Sequence, residues 1–211
     1  NSTGFATCIA RFGGKLYFGT WDGRVYETTD LVTFTQRGAF TPGKPIMDLE
    51  VWKGLLYASN NEDYSFSSKL YRTADGVNWE TIGSFGVYEF FQFVGAPDYL
   101  YIATTVSPYG PSFAIYASPD GASWSRIFYT TTDGKVQDGH ATYCARTGRV
   151  YYVEQWNYMP KLVPCYQGAA ETPIQIDTGP SVVELFGRLW AIGWQRGDTD
   201  LKPTRVELLA Q

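Results

Sequence analysis

Tyr26-Glu27-Thr28-Thr29-Asp30-Leu31-Val32-Thr33-Phe34 returns as Tyr71-Arg72-Thr73-Ala74-Asp75-Gly76-Val77-Asn78-Trp79. It returns again as Tyr116-Ala117-Ser118-Pro119-Asp120-Gly121-Ala122-Ser123-Trp124. The shared pattern is a Tyr, a hydroxyl residue two later, an Asp two after that, and an aromatic four beyond the Asp. Its copies begin 45 residues apart, at Tyr26, Tyr71 and Tyr116. A pattern that recurs once per unit at this period marks an array of equal supersecondary units. The period fits one blade of a β-propeller.

A second signal precedes each copy and outlasts them. Leu16-Tyr17, Leu56-Tyr57, Leu100-Tyr101, Val150-Tyr151 and Leu189-Trp190 are apolar–aromatic pairs at a comparable spacing. Five such anchors predict five units of roughly 42 residues each. In the second unit, strands are expected over Ile46–Trp52, Leu55–Ser59, Lys69–Thr73 and Asn78–Gly83, with Gly54 in a turn. Asp75-Gly76 reads as a hairpin turn in which both central residues take positive φ. No stretch keeps a 3.6-residue period, so helix is not expected. The predicted fold is all-β: one β-propeller domain over 1–211, with blades at about 4–41, 45–85, 86–130, 136–178 and 180–211. Each blade is expected to be a four-stranded antiparallel sheet; the last is three-stranded or takes a strand from upstream of Asn1, because Ser181–Phe186, Arg188–Gly193 and Arg205–Leu209 supply only three segments.

Composition supports this and narrows the function. Aromatics make up 17% of the chain, which suits pleated, half-buried surfaces. Apolar residues at 44% are ample for a core. The net charge of −4 and the lack of any Lys/Arg cluster exclude nucleic acid as the expected partner. No apolar run is long enough to span a bilayer as a helix, so membrane insertion is not expected. A chain that starts at Asn1 without a leader reads as a mature form or a piece of a longer protein.

Within each motif, the Asp is expected to accept turn N–H bonds and the aromatic to fold between neighbouring sheets. Asp30, Phe34, Asp75, Trp79, Asp120 and Trp124 are therefore read as structural. The motif resembles the Asp-box, or bacterial-neuraminidase repeat, in a shortened form. The strict box has one more residue before the aromatic and a Gly two after the Asp. Here Gly76 and Gly121 follow their Asp directly, and Leu31 stands in the first copy. The resemblance spans residues 14–130, and implies a propeller; five-bladed lectins of the tachylectin type are an architectural parallel. Sialidases with such boxes carry an Arg-Ile-Pro-like segment and an arginine clamp. Arg11 is followed by Phe12-Gly13, and no clamp is apparent, so sialidase activity is not expected.

Other chemistry has thin support. Asp48 and Glu50 lie on a first strand and share a face by alternation. With Glu89 and Glu184 they are the available carboxylates for glycoside hydrolysis, which needs a pair about 5–9 Å apart. His140 is the only histidine, and it reads as a loop residue. No calcium loop, phosphate cradle or dinucleotide fingerprint is present, so no metal or cofactor is expected. Cys8, Cys144 and Cys165 have no ligand spacing, and read as buried thiols.

The loops joining second to third strands differ from unit to unit and carry exposed-type aromatics beside amides and carboxylates. The candidate ligand residues are Trp21, Asp22, Asn60, Asp63, Tyr64, Tyr109, Gln155, Trp156, Asn157, Tyr158, Trp194, Gln195, Arg196 and Asp198. Repeated topology puts these loops on one face, where a scaffold can display them. Aromatic rings suit the C–H faces of sugars, and the same residues dominate protein hot spots. The expected function is non-catalytic recognition of a glycan or surface receptor. Two alternatives follow: an assembly domain of a virion or surface polymer that docks neighbouring subunits, or a glycosidase with a channel-mouth carboxylate pair. The Lys-poor, Thr/Ser/Gly-rich composition points to an extracellular or virion-surface setting.

Overall fold

In the computed structural model the described residues are 4–61, 68–85, 89–105, 113–130, 141–154, 161–175, 181–185, 188–193 and 202–204. Every regular element among them is a strand. The first sheet is β1 (Ala6–Phe12), β2 (Lys15–Thr20), β3 (Arg24–Thr28) and β4 (Thr35–Ala39), side by side in chain order. The second repeats it with β5 (Ile46–Trp52), β6 (Leu55–Asn60), β7 (Lys69–Thr73) and β8 (Glu80–Ser84). The third is β9 (Glu89–Gly95), β10 (Leu100–Thr105), β11 (Phe113–Ser118) and β12 (Ser125–Thr130). In the fourth, β13 (Ala141–Cys144), β14 (Arg149–Glu154), β15 (Lys161–Tyr166) and β16 (Ala169–Ala170) follow in order, and β17 (Ile174–Gln175) also pairs with β15. The last is β18 (Ser181–Leu185), β19 (Arg188–Gly193) and β20 (Lys202–Thr204), three strands among the described residues. All pairings within these sheets are antiparallel between sequential neighbours, apart from β15 with β17. Two compact units, Asn1–Phe93 and Val94–Gln211, divide the chain.

Turn chemistry explains the strand boundaries. Gly13-Gly14, Lys53-Gly54 and Gln167-Gly168 all have positive φ at both residues, as a two-residue hairpin whose twist matches its strands requires. The Asp-Gly turns are built differently from the sequence expectation. Only Gly76 (φ 76°) and Gly121 (φ 70°) take positive φ there, and their Asp neighbours do not. The reason is the Asp side chain. Asp75 Oδ1 accepts from Val77 N and Asn78 N, both at 2.8 Å, and from the Thr73 hydroxyl at 2.9 Å. The carboxylate thus stands in for a backbone carbonyl in a wider turn, so β8 starts at Glu80 rather than Asn78. Asp30 does the same with Val32 N and Thr33 N, and Asp120 with Ala122 N and Ser123 N. These backbone bonds hold Asp30 at about 2 and Asp75 and Asp120 below the usual carboxylate range.

The core of the first unit lies between its two sheets. Tyr17 and Val25 from the first pack with Ile46, Leu49, Leu56, Ala58 and Tyr71 from the second, flanked by Cys8, Phe40 and Trp79. Three devices fix this joint. Trp79 Nε1 donates to Arg37 O at 3.1 Å, and the register shift where β4 pairs with β3 sits beside that carbonyl. Phe40 lies between Tyr71, with ring centroids 4.1 Å apart, and Trp79, edge-on at 5.3 Å. The Tyr17 hydroxyl sits so close over Gly76 that an added Cβ would come within 2.0 Å of it. The second unit repeats the last device without an Asp turn: Gly168 N donates to the Tyr101 hydroxyl at 2.9 Å.

Phe34 departs from its expected role. It was read as filling an inter-sheet space like Trp79, but it is 48% exposed and meets Phe18 of its own sheet edge-on at 5.7 Å. The cysteines are free. Cys144 and Cys165 lie on β13 and β15, first and third strands of one sheet, which β14 separates.

Candidate functional site

Among the predicted ligand residues, Trp21, Asp22 and Asn60 are described. Asp63, Tyr64, Tyr109, Gln155, Trp156, Asn157, Tyr158, Trp194, Gln195, Arg196 and Asp198 lie outside the described residues, as does His140.

Trp21 sits on a braced turn between β2 and β3. Its N–H donates to Phe5 O at 2.9 Å, and Gly23 N closes the turn on Thr20 O at 3.2 Å. Gly23 (φ 84°) is required here, because a Cβ would come within 2.5 Å of Thr41 O. Beside the ring, the Thr20 hydroxyl lies 2.5 Å from Asp22 Oδ1, and Arg24 Nε lies 3.4 Å from Asp22 Oδ2. Arg24 also donates to the Tyr26 hydroxyl at 3.3 Å. The backbone is therefore held from both sides while the indole is 59% exposed. Phe5, next to it through the Trp21 N–H bond, is 82% exposed.

Asn60 corrects the sequence reading. It ends β6 instead of starting a loop, and it is fully buried. Its Nδ2 donates to Lys44 O at 2.8 Å and Pro45 O at 3.3 Å. That Nδ2 fastens the segment leading into β5, and the side chain is not exposed to a ligand.

Asp48 and Glu50 lie on β5 as expected, after a register shift between Ile46 and Asp48. Asp48 is partly buried, and both of its oxygens are engaged. Oδ1 accepts from Leu49 N at 2.9 Å, and Oδ2 accepts from Phe93 N at 2.7 Å. Burial, with the nearby Glu50 charge adding to it, outweighs those bonds and pushes the carboxyl up to about 7. β1 shows the same register shift between Ala6 and Cys8, which makes Cys8 the counterpart of Asp48. Cys8 Sγ lies 3.7 Å from Ile46 O, and Thr7 donates to the same carbonyl. Burial, then the Asp48 charge, raises the Cys8 thiol to about 12, so it is an inert thiol. The side chains of Glu89 and Glu184 lie outside the described residues.

One feature was missed in the sequence. Gly4, Ala6, Phe18, Thr20, Tyr26 and Phe34 line an open, mainly apolar groove of about 390 Å³ on the first sheet. The available signal was Phe34 itself, the weakest of the three motif aromatics, next to the only copy without Gly after Asp. No group of three or more potential metal ligands occurs among the described residues.

Solved structures similar in fold include BamB from Moraxella catarrhalis, at 11% identity and a TM-score of 0.59, over 89% of this chain and 56% of that one. A putative gluconolactonase matches at 16% identity and 0.60, over 90% and 72% respectively. These neighbours are β-propellers. The fold here is of the β-propeller kind. A protein of unknown function from Bacteroides thetaiotaomicron also matches, at 14% identity and 0.54, over 79% of this chain and 42% of that one. The chain thus spans little more than half of the BamB chain. No protein-family model matches the sequence, and no curated protein does. One propeller neighbour is named for an enzyme activity and BamB is not, so the shared propeller fold assigns no chemistry.

Proposed function

We propose that this chain is a non-catalytic recognition module, a five-bladed propeller that binds glycans or a surface receptor through aromatic loops at one end. The observation that carries this reading is Trp21. It is a large aromatic held out to solvent on a turn whose backbone bonds, glycine and Asp22–Arg24 pair all limit its movement. Ordering costs little when a contact residue is already fixed, which favours a binding role over a passive one. The other loop aromatics of the sequence reading, Tyr64, Tyr109, Trp156, Tyr158 and Trp194, lie outside the described residues.

The blades would follow the sequence repeats at about 4–41, 45–85, 86–130, 136–178 and 180–211 in one domain. Their Asp turns make the chain a shortened relative of Asp-box propellers. The setting would be extracellular or on a virion surface, with no metal or cofactor. The fastening of Asp48 to two backbone N–H groups supports the non-enzyme reading. A glycosidase acid must reach a glycosidic oxygen, and these oxygens are already taken.

The test is a glycan array and a panel of surface receptors probed with the intact chain and with Trp21→Ala. A saturable hit that weakens at least tenfold in Trp21→Ala supports the reading. Binding that ignores Trp21, or turnover of a glycoside that Asp48→Asn abolishes, would overturn it.

A further inference from the structure

The second strands of the first three sheets reach the same position near their ends. Tyr17, Tyr57 and Tyr101 are equivalent by register, since the leucines before them pair with Thr28, Thr73 and Ser118. Three residues on, the position holds Thr20, Asn60 and Thr104, each polar and each buried. In the first sheet the short turn that follows completes it. The Thr20 hydroxyl accepts from Arg24 N at 3.1 Å and donates to Asp22 Oδ1. A polar group shut away from solvent is thus satisfied by the turn next to it.

The second and third sheets differ at this position. Asn60 Oδ1 and Thr104 Oγ1 meet no hydrogen-bond partner among the described residues, although both side chains are fully buried. Asn60 Nδ2 holds Lys44 O and Pro45 O, which settles which end of the amide is which and leaves Oδ1 as the acceptor. The Thr104 hydroxyl can both donate and accept. A buried group left dry loses its hydration with no bond to offset the loss. The connections also differ in length. The third strand begins at Arg24 in the first sheet, four residues after Thr20, but only at Lys69 and Phe113 in the other two, nine residues after Asn60 and Thr104.

We propose that a buried water molecule completes each of these two strand ends, donating to Asn60 Oδ1 in the second sheet and bonding the Thr104 hydroxyl in the third. Water fits both groups because it supplies a donor and an acceptor, as the turn does for Thr20. A cation fits them less well: neither group is charged, and no group of three or more potential metal ligands occurs among the described residues. The consequence is that the strand end does not depend on the loop for its last bond. The connections after β6 and β10 are then free to differ in length and sequence while the sheet beneath keeps its polar groups paired. The inference is independent of the Trp21 reading, since it needs no external partner.

The test has two arms, both on the intact chain. Water-selective NOE and ROE spectra should show cross-peaks of opposite sign between a long-lived water and the Asn60 Nδ2 protons. That amide is the reporter because its protons exchange slowly, whereas a hydroxyl proton relays bulk water. The second arm is urea unfolding of Thr104→Val, which keeps the shape of the side chain and removes the hydroxyl. It should lower the midpoint and raise the unfolding constant at least about threefold, because a bonded water loses a partner. A dry hydroxyl gives the opposite sign, since valine then removes an unpaired polar group and the midpoint rises. The Asn60 cross-peaks should persist in Thr104→Val, as the two sites are separate. No water cross-peak at Asn60, or a Thr104→Val midpoint at or above that of the unsubstituted chain, would each overturn the proposal.

Discussion

The first and second sheets are two copies of one repeat, and they differ most where each would meet a preceding neighbour. The second sheet buries Tyr71 and Ala58, places Trp79 on Arg37 O, and keeps Gly76 bare beneath Tyr17. The first presents Tyr26, Phe18, Phe34 and Leu31 at those positions, with Leu31 and Phe34 largely exposed. The comparison separates what the turn needs from what the joint needs. Asp30 and Asp75 make the same bonds to the second and third residues beyond them, so the Asp serves its own turn. The glycine and the indole serve the sheet before.

The largest effect should come from removing the indole that crosses the joint. Trp79→Ala should cost about 3–5 kcal/mol in urea unfolding, against under about 1 kcal/mol for Phe34→Ala. Equal costs would mean that the two aromatics do the same work and would break the comparison. Gly76→Ala comes next, at about 2–3 kcal/mol, because it combines a left-handed backbone with a Cβ driven against the Tyr17 ring. Relief of that cost by Tyr17→Phe or a smaller residue would tie it to the hydroxyl contact and not to the turn.

The third prediction separates the two register-shift positions by pH. Asp48 has its folded carboxyl raised to about 7 from the usual 3.8, so the protonated form favours the fold. That contribution is complete below about pH 4 and is lost as pH rises through 7, on the order of 4 kcal/mol in total. Asp48→Asn should flatten the stability profile between pH 4 and pH 8. Cys8, raised to about 12, stays neutral across that range, and Cys8→Ser should leave the slope as it is. The smallest effect is a gain. Leu31→Gly should stabilise by about 0.5–1 kcal/mol, since the side chain strains a positive φ without filling a joint.

Much of this fold was legible from spacing. The anchors at Tyr17, Tyr57, Tyr101 and Tyr151 fall on second strands, and the Asp motifs fall at third-to-fourth turns. Both signals come from period and turn chemistry, which a single sequence carries. Partnership across sheets was not legible, because it links residues far apart in the chain. That is why Phe34 was read as a buried wedge and Asn60 as a loop ligand. The place of Phe40 could have been found: Gly38-Ala39-Phe40 and Gly83-Ser84-Phe85 both place a phenylalanine six residues after the motif aromatic. Asp48 was read correctly as a first-strand carboxylate, but the shift that turns Cys8 and Asp48 toward a neighbouring strand's backbone leaves no mark in composition.

Gln167-Gly168 carries the last consequence. A plain two-residue hairpin, with no Asp and no following tryptophan, still receives the Tyr101 hydroxyl on its glycine N–H. Within each compact unit there is therefore a handshake, a tyrosine of one sheet meeting a turn glycine of the next sheet. In a collection of related chains, the residue expected to change in step with an anchor tyrosine is the turn glycine of the sheet that follows. A search pattern confined to a single unit would overlook that pairing and would lose the repeat where the Asp motif ends.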